Sequence, residues 1–299
     1  VFLPPNGGIA GIFVGLGLWF LLSLIGYFSG DSVILTVSGA KEVSHDVHPR
    51  LFNIVEEMRI AAGLPARPRV CIIDDPAPNA FATGTRVERS TVAVTAGLLS
   101  KLNRSELEGV IAHEMSHIVN RDVLFVTLAG VMLGTIVIIS EVFLRGMFVR
   151  SRSSRRYRAG AGGGGQALAI VLCVALILAI LAPIFARLFY FAISRRREYL
   201  ADASAVRLTR YPEGLASALE KLSSVNLDLA TANKVTAPMY IVNPLKKTGM
   251  RISDLTNTHP PISERIRILR TMTYGAGYSD YQKAFSNVTG EVAAIIPRS

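Results

Sequence analysis

The sequence has few cysteines and lacks the motifs that nucleic-acid-binding proteins use. Its two cysteines, Cys71 and Cys173, lie far apart and in different sequence contexts, which favours buried side chains over a disulfide or a cysteine metal site. Zinc-finger patterns and aromatic-and-basic RNA-binding motifs are absent. No Gly-Lys-Ser/Thr follows the glycine run at 160–165, which excludes a phosphate-binding loop. We therefore expect no nucleic-acid partner.

Acidic residues are outnumbered by basic ones. The chain has 22 Asp and Glu against 32 Lys and Arg, a formal net charge of +10, while half of its residues are hydrophobic and the mean hydropathy is +0.39. In so apolar a chain, a basic excess favours contact with anionic lipid over contact with nucleic acid. The composition predicts a lipid bilayer as a partner.

Three charge-poor apolar segments are candidates for membrane crossing, at 8–28, 123–140 and 167–186. A transmembrane helix needs roughly 20 such residues. The first segment also resembles a secretory signal, but no basic segment precedes it and no clear small-x-small cleavage site follows, so an anchor is favoured. The other two flank a basic, glycine-rich connector and predict a transmembrane hairpin.

A helix is predicted over the segment that begins at Ser105 and reads SELEGVIAHEMSHIVNRD. Asn103 followed by Glu106 is a capping-box pattern, which places the start of the helix near Arg104. Apolar residues recur along the segment at helical spacing, so one face of the helix should be buried.

Two histidines on this helix are spaced to bind one metal ion. His113 and His117 are separated by four residues, so their imidazoles leave the same side of the helix one turn apart and can reach a single zinc ion. Glu114 lies next to His113 and is close enough to hold a water without ligating the metal. This pattern is the His-Glu-x-x-His signature of zinc peptidases; the alternative is an ordinary helix with two hydrogen-bonded histidines.

A third ligand is expected beyond the predicted hairpin, in an Ala-rich helical segment. Glu198 and Asp202 lie on one face of it. A carboxylate commonly completes a catalytic zinc site beside two histidines, and Asp202 could orient a ligating imidazole through its free nitrogen. The alternative is a surface helix whose carboxylates offset the three preceding arginines.

The remaining segments predict the surroundings of this site. Arg69 to Ile73, Asn79 to Gly84 and Ser90 to Thr95 are predicted strands, and an edge strand can hold an extended substrate by main-chain hydrogen bonds, although an ordinary hairpin fits equally well. Ser32 to Ser38, rich in β-branched residues, predicts another short strand. His259 could donate a hydrogen bond to an oxyanion or serve as a structural loop residue.

Six motifs, in this order along the chain, resemble the HtpX-type membrane zinc endopeptidases, a family related to the CAAX prenyl protease. They are HPRL at His48, AGLP at Ala62, NAFATG at Asn79, AHEMSHIVNRD at Ala112, RREYLADA at Arg196 and THPP at Thr258. The resemblance implies a gluzincin fold that binds one Zn²⁺ per chain. It implies three metal ligands and a catalytic base, namely His113, His117, Glu198 and Glu114.

The resemblance also implies roles for residues around the metal. It implies that Asp202 and Asn120 contact the metal ligands rather than the metal, and that His259 lies at the active site. It assigns substrate binding to the strand residues Asn79, Ala80, Phe81 and Ala82. It implies a multi-pass protein of the bacterial inner (plasma) membrane, active in stress response and protein quality control, that cleaves misfolded or damaged membrane proteins. Basic residues are nearly balanced across the predicted spans, so the cytoplasmic orientation of the active site rests on the resemblance alone.

The predicted fold class is α+β and mainly helical, a gluzincin-type zinc protease domain with a small β-sheet plus transmembrane helices. The predicted domains are an anchor at 1–30, the first catalytic part at 31–122, a transmembrane hairpin with its basic Gly-rich loop at 123–193, and the second catalytic part at 194–299. Two alternative functions are a CAAX-type prenyl-protein protease, disfavoured by the few spans, and a non-catalytic zinc-stabilised membrane scaffold. A structural zinc site needs no catalytic base, so the presence of Glu114 disfavours the scaffold.

Overall fold

The structure is a computed structural model that describes residues 34–122, 195–225, 259–272 and 275–291, together with isolated positions elsewhere, among them 31, 32, 124, 125 and 241. Most of the predicted anchor and hairpin lies outside these residues. Within the described part of the chain, none of the helices combines the length and apolar character that a bilayer crossing requires. The chain divides into two compact units, Val1–Phe28 with Thr127–Tyr190 and Ser29–Val126 with Phe191–Ser299. All elements named below belong to the second unit.

Four strands form a small mixed sheet. They are β1 (Lys41–Glu42), β2 (Arg69–Ile73), β3 (Ala80–Thr83) and β4 (Thr91–Thr95), in the order β1-β2-β4-β3. Strands β2 and β4 are parallel, and the other two pairs are antiparallel. The predicted strands at 69–73, 79–84 and 90–95 are confirmed, and β3 occupies one edge of the sheet.

Helices make up most of the described unit, as predicted. They are α1 (Pro49–Ala61), α2 (Ala96–Lys101), α3 (Arg104–Val119), α4 (described at 195–209), α5 (Pro212–Ser224), α6 (Ile262–Thr271) and α7 (Tyr278–Thr289).

Helix α3 lies at the centre of the fold, against α1, α5 and the sheet. Its start is fixed by the predicted capping box, because the Asn103 side chain accepts from the Glu106 N–H at 2.9 Å and the Glu106 carboxylate accepts from the Asn103 N–H at 2.9 Å. Gly109 lets α5 approach closely, since a β-carbon there would lie 2.7 Å from the backbone nitrogen of Leu215. The metal-binding motif is therefore carried by a buried, rigidly held helix.

The strand predicted at Ser32 to Ser38 is wrong, because residues 34–37 are helical. The Thr36 hydroxyl donates to the Ser32 carbonyl at 2.8 Å, and the Ser38 N–H donates to the Ile34 carbonyl at 2.9 Å. The turn also places Leu35 in a small apolar cluster on the sheet. Strand propensity depends on packing, and here a helical turn buries the Leu35 side chain.

Candidate metal centre

The three predicted ligands meet in a buried cluster, although two lie on α3 and the third lies on α4. The Nε2 atoms of His113 and His117 are 3.2 Å apart. The Glu198 carboxylate oxygens lie 3.5 Å from the His117 Nε2 and 3.7 Å from the His113 Nε2. The donor set therefore converges on one point from two segments that are distant in sequence.

These separations fit a tetrahedral metal ion. Zinc–nitrogen and zinc–oxygen bonds of about 2.0–2.2 Å at tetrahedral angles place two ligand atoms about 3.3–3.6 Å apart. The two Nε2 atoms are 3.2 Å apart, and each lies near a different oxygen of Glu198, at 3.5 Å for His117 and 3.7 Å for His113, so the separations lie at or near this range. Two imidazole nitrogens and one carboxylate leave a fourth position, as catalytic zinc sites do. The residues present thus suit the metal that the sequence predicts.

His113 is oriented by Asp202, which in turn is held by a buried arginine. The His113 Nδ1 lies 3.0 Å from the Asp202 carboxylate, so its Nε2 is left to face the ligand cluster. Arg265 on α6 donates two hydrogen bonds to Asp202, at 2.7 and 2.8 Å, and its side chain is fully buried. Burial by itself would raise the pKa of Asp202, but the arginine charge keeps that pKa below its ordinary value.

His117 has a carboxylate partner of its own, which sequence reasoning missed. The His117 Nδ1 lies 2.7 Å from the Asp122 carboxylate, whose other oxygen accepts from Arg197. Asn120, which the resemblance placed next to the ligands, forms the C-cap of α3, and its role beside the ligands stays a prediction. Asp122 lies in the same NRD motif as Asn120, which is the sequence signal that could have pointed to it.

Glu198 is surrounded by positive or hydrogen-bonding groups. The His259 Nδ1 lies 2.9 Å from one of its oxygens, and Arg265 lies 3.6 Å from the same oxygen. Burial alone would raise the pKa of Glu198, but His259 and His113 hold it well below its usual range. His259 is thus brought to the cluster, and its Nδ1 faces a ligand carboxylate.

Glu114 is buried beside the ligands and faces the edge strand. Only 2 % of it is exposed, and its carboxylate accepts a hydrogen bond from the backbone N–H of Ala82. Burial raises the pKa of Glu114 above its ordinary value, although the two histidines and the Ala82 N–H oppose this. A buried carboxyl with a raised pKa is suited to exchange a proton with a reacting water.

Along the edge strand β3, the main-chain N–H and C=O groups of every second residue point toward the site. The Thr95 N–H of β4 donates to the Asn79 carbonyl, and the Asn79 N–H donates to the Thr95 hydroxyl. Phe81 pairs with Ala93 and is buried. Because hydrogen-bonding direction alternates along an antiparallel strand, the groups of Ala80 and Ala82 point away from β4.

Both outward-facing residues of β3 already have a partner on that side. The Ala82 N–H donates to Glu114, and the Ala80 carbonyl accepts from the Ile241 N–H at 3.1 Å. A substrate strand that used the Ala80 carbonyl would therefore replace the hydrogen bond from Ile241.

Comparison with known proteins supports a single family. The model of Peptidase family M48 matches residues 46–273. A "Protease HtpX homolog" of Dictyoglomus turgidum is 48% identical over 265 residues, covering 89% of this chain and 83% of the relative, and that of Dictyoglomus thermophilum is 50% identical over the same span. The homolog of Listeria monocytogenes serotype 4a is 46% identical over 262 residues, covering 86% of this chain and 84% of the relative.

A solved structure shares the fold. The crystal structure of S. mikatae Ste24p matches with a TM-score of 0.50 at 20% identity, over 86% of this chain and 57% of that one. At this identity the likeness concerns the fold alone. The motif resemblance to the HtpX-type proteases is confirmed by the closer relatives. With three convergent ligands and a family match over most of its length, the chain belongs to peptidase family M48 and is a metalloprotease, a hydrolase of peptide bonds.

Proposed function

We propose that the protein is a zinc-dependent endopeptidase of the membrane that cleaves misfolded or damaged membrane proteins. One observation carries the chemical part of the proposal. His113, His117 and Glu198 converge on a single point, while Glu114 stays out of the ligand set and lies against the edge of the sheet. A structural zinc site would fill all four positions with protein and would need no unligated carboxylate.

Glu114 acts as the general base and acid of the reaction. Zinc held by the three ligands would act as a Lewis acid that activates a water and polarises the scissile carbonyl. Glu114 takes a proton from the attacking water as the new C–O bond forms, and it passes that proton to the amine as the C–N bond breaks. Its burial favours this shuttle, because burial raises the pKa of Glu114 and makes the protonated form easier to reach.

A polypeptide substrate is held in extended form along β3. A substrate strand would replace Ile241 at the outward-facing Ala80 carbonyl, and such main-chain hydrogen bonds do not depend on substrate side chains. Because Ala82 also contacts Glu114, a strand bound at this edge lies next to the base. Such main-chain recognition suits a protease that must accept many misfolded sequences. His259 lies at the cluster with its Nδ1 facing Glu198, so its Nε2 is the ring atom that donates to the developing oxyanion.

The proposal is tested by metal analysis paired with a cleavage assay on the detergent-purified protein. We expect close to one zinc per chain, hydrolysis of an unfolded protein such as casein, loss of hydrolysis with a chelator, and recovery when zinc is restored. A scaffold would bind zinc and cleave nothing. Cleavage that persisted in a protein shown to be free of metal would contradict the proposed chemistry.

The membrane part of the proposal rests on the apolar segments at 8–28, 123–140 and 167–186. We propose that these segments cross the bacterial inner membrane and that the active site faces the cytoplasm. The connector that contains Gly163 then lies on the opposite face.

Labelling with a membrane-impermeant thiol reagent tests this orientation, in a background without Cys71 and Cys173. In intact spheroplasts, Gly163→Cys is expected to react, whereas a matched cysteine at the exposed Glu220 of α5 should react only after lysis. The reverse pattern would place the active site outside the cytoplasm.

A further inference from the structure

The partner of His117 is built from residues that sequence reasoning did not assign. Asp122 follows α3. Arg197 lies 75 residues further along the chain, immediately before the third ligand, Glu198. Asp122 is 5 % exposed, and its two oxygens are divided between the His117 Nδ1 and the Arg197 guanidinium. The pair thus links the two segments that carry the metal ligands.

The backbone and a neighbouring ring hold this pair in place. Arg121 has a φ of 55°, in the left-handed region that non-glycine residues rarely adopt, and this turn directs Asp122 back toward His117. The Arg197 guanidinium lies 3.7 Å from the centroid of the Phe125 ring, in a cation–π contact. A strained turn that persists beside a site indicates that its surroundings stabilise it.

We propose that Asp122, held by Arg197, is a positioning residue that keeps the proton of His117 on Nδ1 and so leaves Nε2 free to bind the metal. This inference rests on the proposed zinc site. An ionised carboxylate can only accept hydrogen bonds, so it admits a single tautomer of the neutral imidazole. Arg197 matters because its guanidinium can only donate and therefore fixes which groups may face it.

Asp122→Asn is expected to move the proton of His117 from Nδ1 to Nε2. The new amide has one accepting and one donating end, and Arg197 can be faced only by the accepting oxygen. The amide nitrogen must then face the His117 Nδ1, which would place the histidine proton on Nε2, where the metal binds. Removal of Arg197 releases this constraint, so the amide can turn its oxygen to His117 again.

The test measures zinc affinity by competition with a chromophoric chelator at one fixed pH, on the full-length protein in detergent. Loss of an orienting partner of this kind typically weakens metal binding 10- to 100-fold. We expect a loss in that range for Asp122→Asn and a smaller loss for Arg197→Met, in which the carboxylate remains. The double variant should bind zinc several-fold more tightly than Asp122→Asn alone. Arg196→Gln, an exposed neighbour, serves as the matched control and should bind like the wild type.

A merely structural role predicts the opposite order, because two lost contacts then weaken the site more than one. A double variant weaker than Asp122→Asn, or an Asp122→Asn that binds zinc within twofold of the wild type, would overturn the proposal. A wild type that binds no zinc would instead overturn the proposed metal site, so the two failures are distinguishable. Binding of Co²⁺, followed by its visible absorption, gives a second readout that does not depend on proteolysis.

Discussion

Replacement of Glu114 by glutamine is expected to abolish detectable peptide hydrolysis while the metal stays bound. Glu114 lies outside the ligand set, so the change leaves all three metal contacts in place. Glutamine is nearly isosteric with glutamate and can still accept from the Ala82 N–H, but it cannot take a proton from water. General acid–base catalysis typically contributes about 100- to 10,000-fold to rate, which sets the size of the loss.

The matched control for this variant is Glu108→Gln, the same chemical change on the same helix. Glu108 is partly exposed and pairs with Arg104 at 2.7 Å, away from the ligand cluster. Zinc content and the rate of casein hydrolysis should be measured together for the wild type and both variants. Normal cleavage by Glu114→Gln would show that another group is the base, whereas loss of zinc would show that Glu114 supports the site rather than the reaction.

Local patterns in the sequence predict the core of the site well. The start of α3 follows from Asn103 and Glu106, and the approach of His113 and His117 follows from helical spacing alone. These features depend on residues within one or two turns of each other, and burial of the helix then holds them. The position of Glu198 needed chemical reasoning about a third ligand, and the structure brings it to the cluster.

Of the residues that hold the ligands, Asp202 follows from its spacing to Glu198, whereas Asp122 and Arg265 could not be predicted in the same way. Asp122 contacts His117 after a turn in which Arg121 adopts a left-handed conformation, and no glycine at that position signals such a turn in the sequence. Arg265 was missed because arginine is normally exposed, whereas here the whole side chain is buried. The order of the strands, with parallel β2 and β4, likewise depends on contacts between distant segments. Nonlocal contacts of this kind leave little trace in local spacing.

Replacement of Arg265 by methionine should destabilise the metal-free protein strongly. The change leaves the fully buried Asp202 carboxylate without the two hydrogen bonds and the positive charge that compensate its desolvation. Removal of one partner from a buried ion pair typically costs about 3–5 kcal/mol in the free energy of unfolding. For a folded unit of this size, that cost corresponds to a fall in melting temperature of roughly 10 °C. The melt should be recorded in chelator, so that loss of metal does not contribute to the difference.

Helix α6 supplies its own control in Arg270, which also pairs with two carboxylates. Arg270 lies 3.1 Å from Glu213 and 2.7 Å from Glu220, but its side chain is 40% exposed. Water can solvate those carboxylates when the arginine is removed, so Arg270→Met should shift the melting temperature by only a small fraction of the Arg265→Met effect. Arg265→Lys should fall between the two, because it keeps the charge but cannot make both hydrogen bonds in one plane. Equal shifts for Arg265→Met and Arg270→Met would mean that burial of the Asp202 pair does not set the stability of this site.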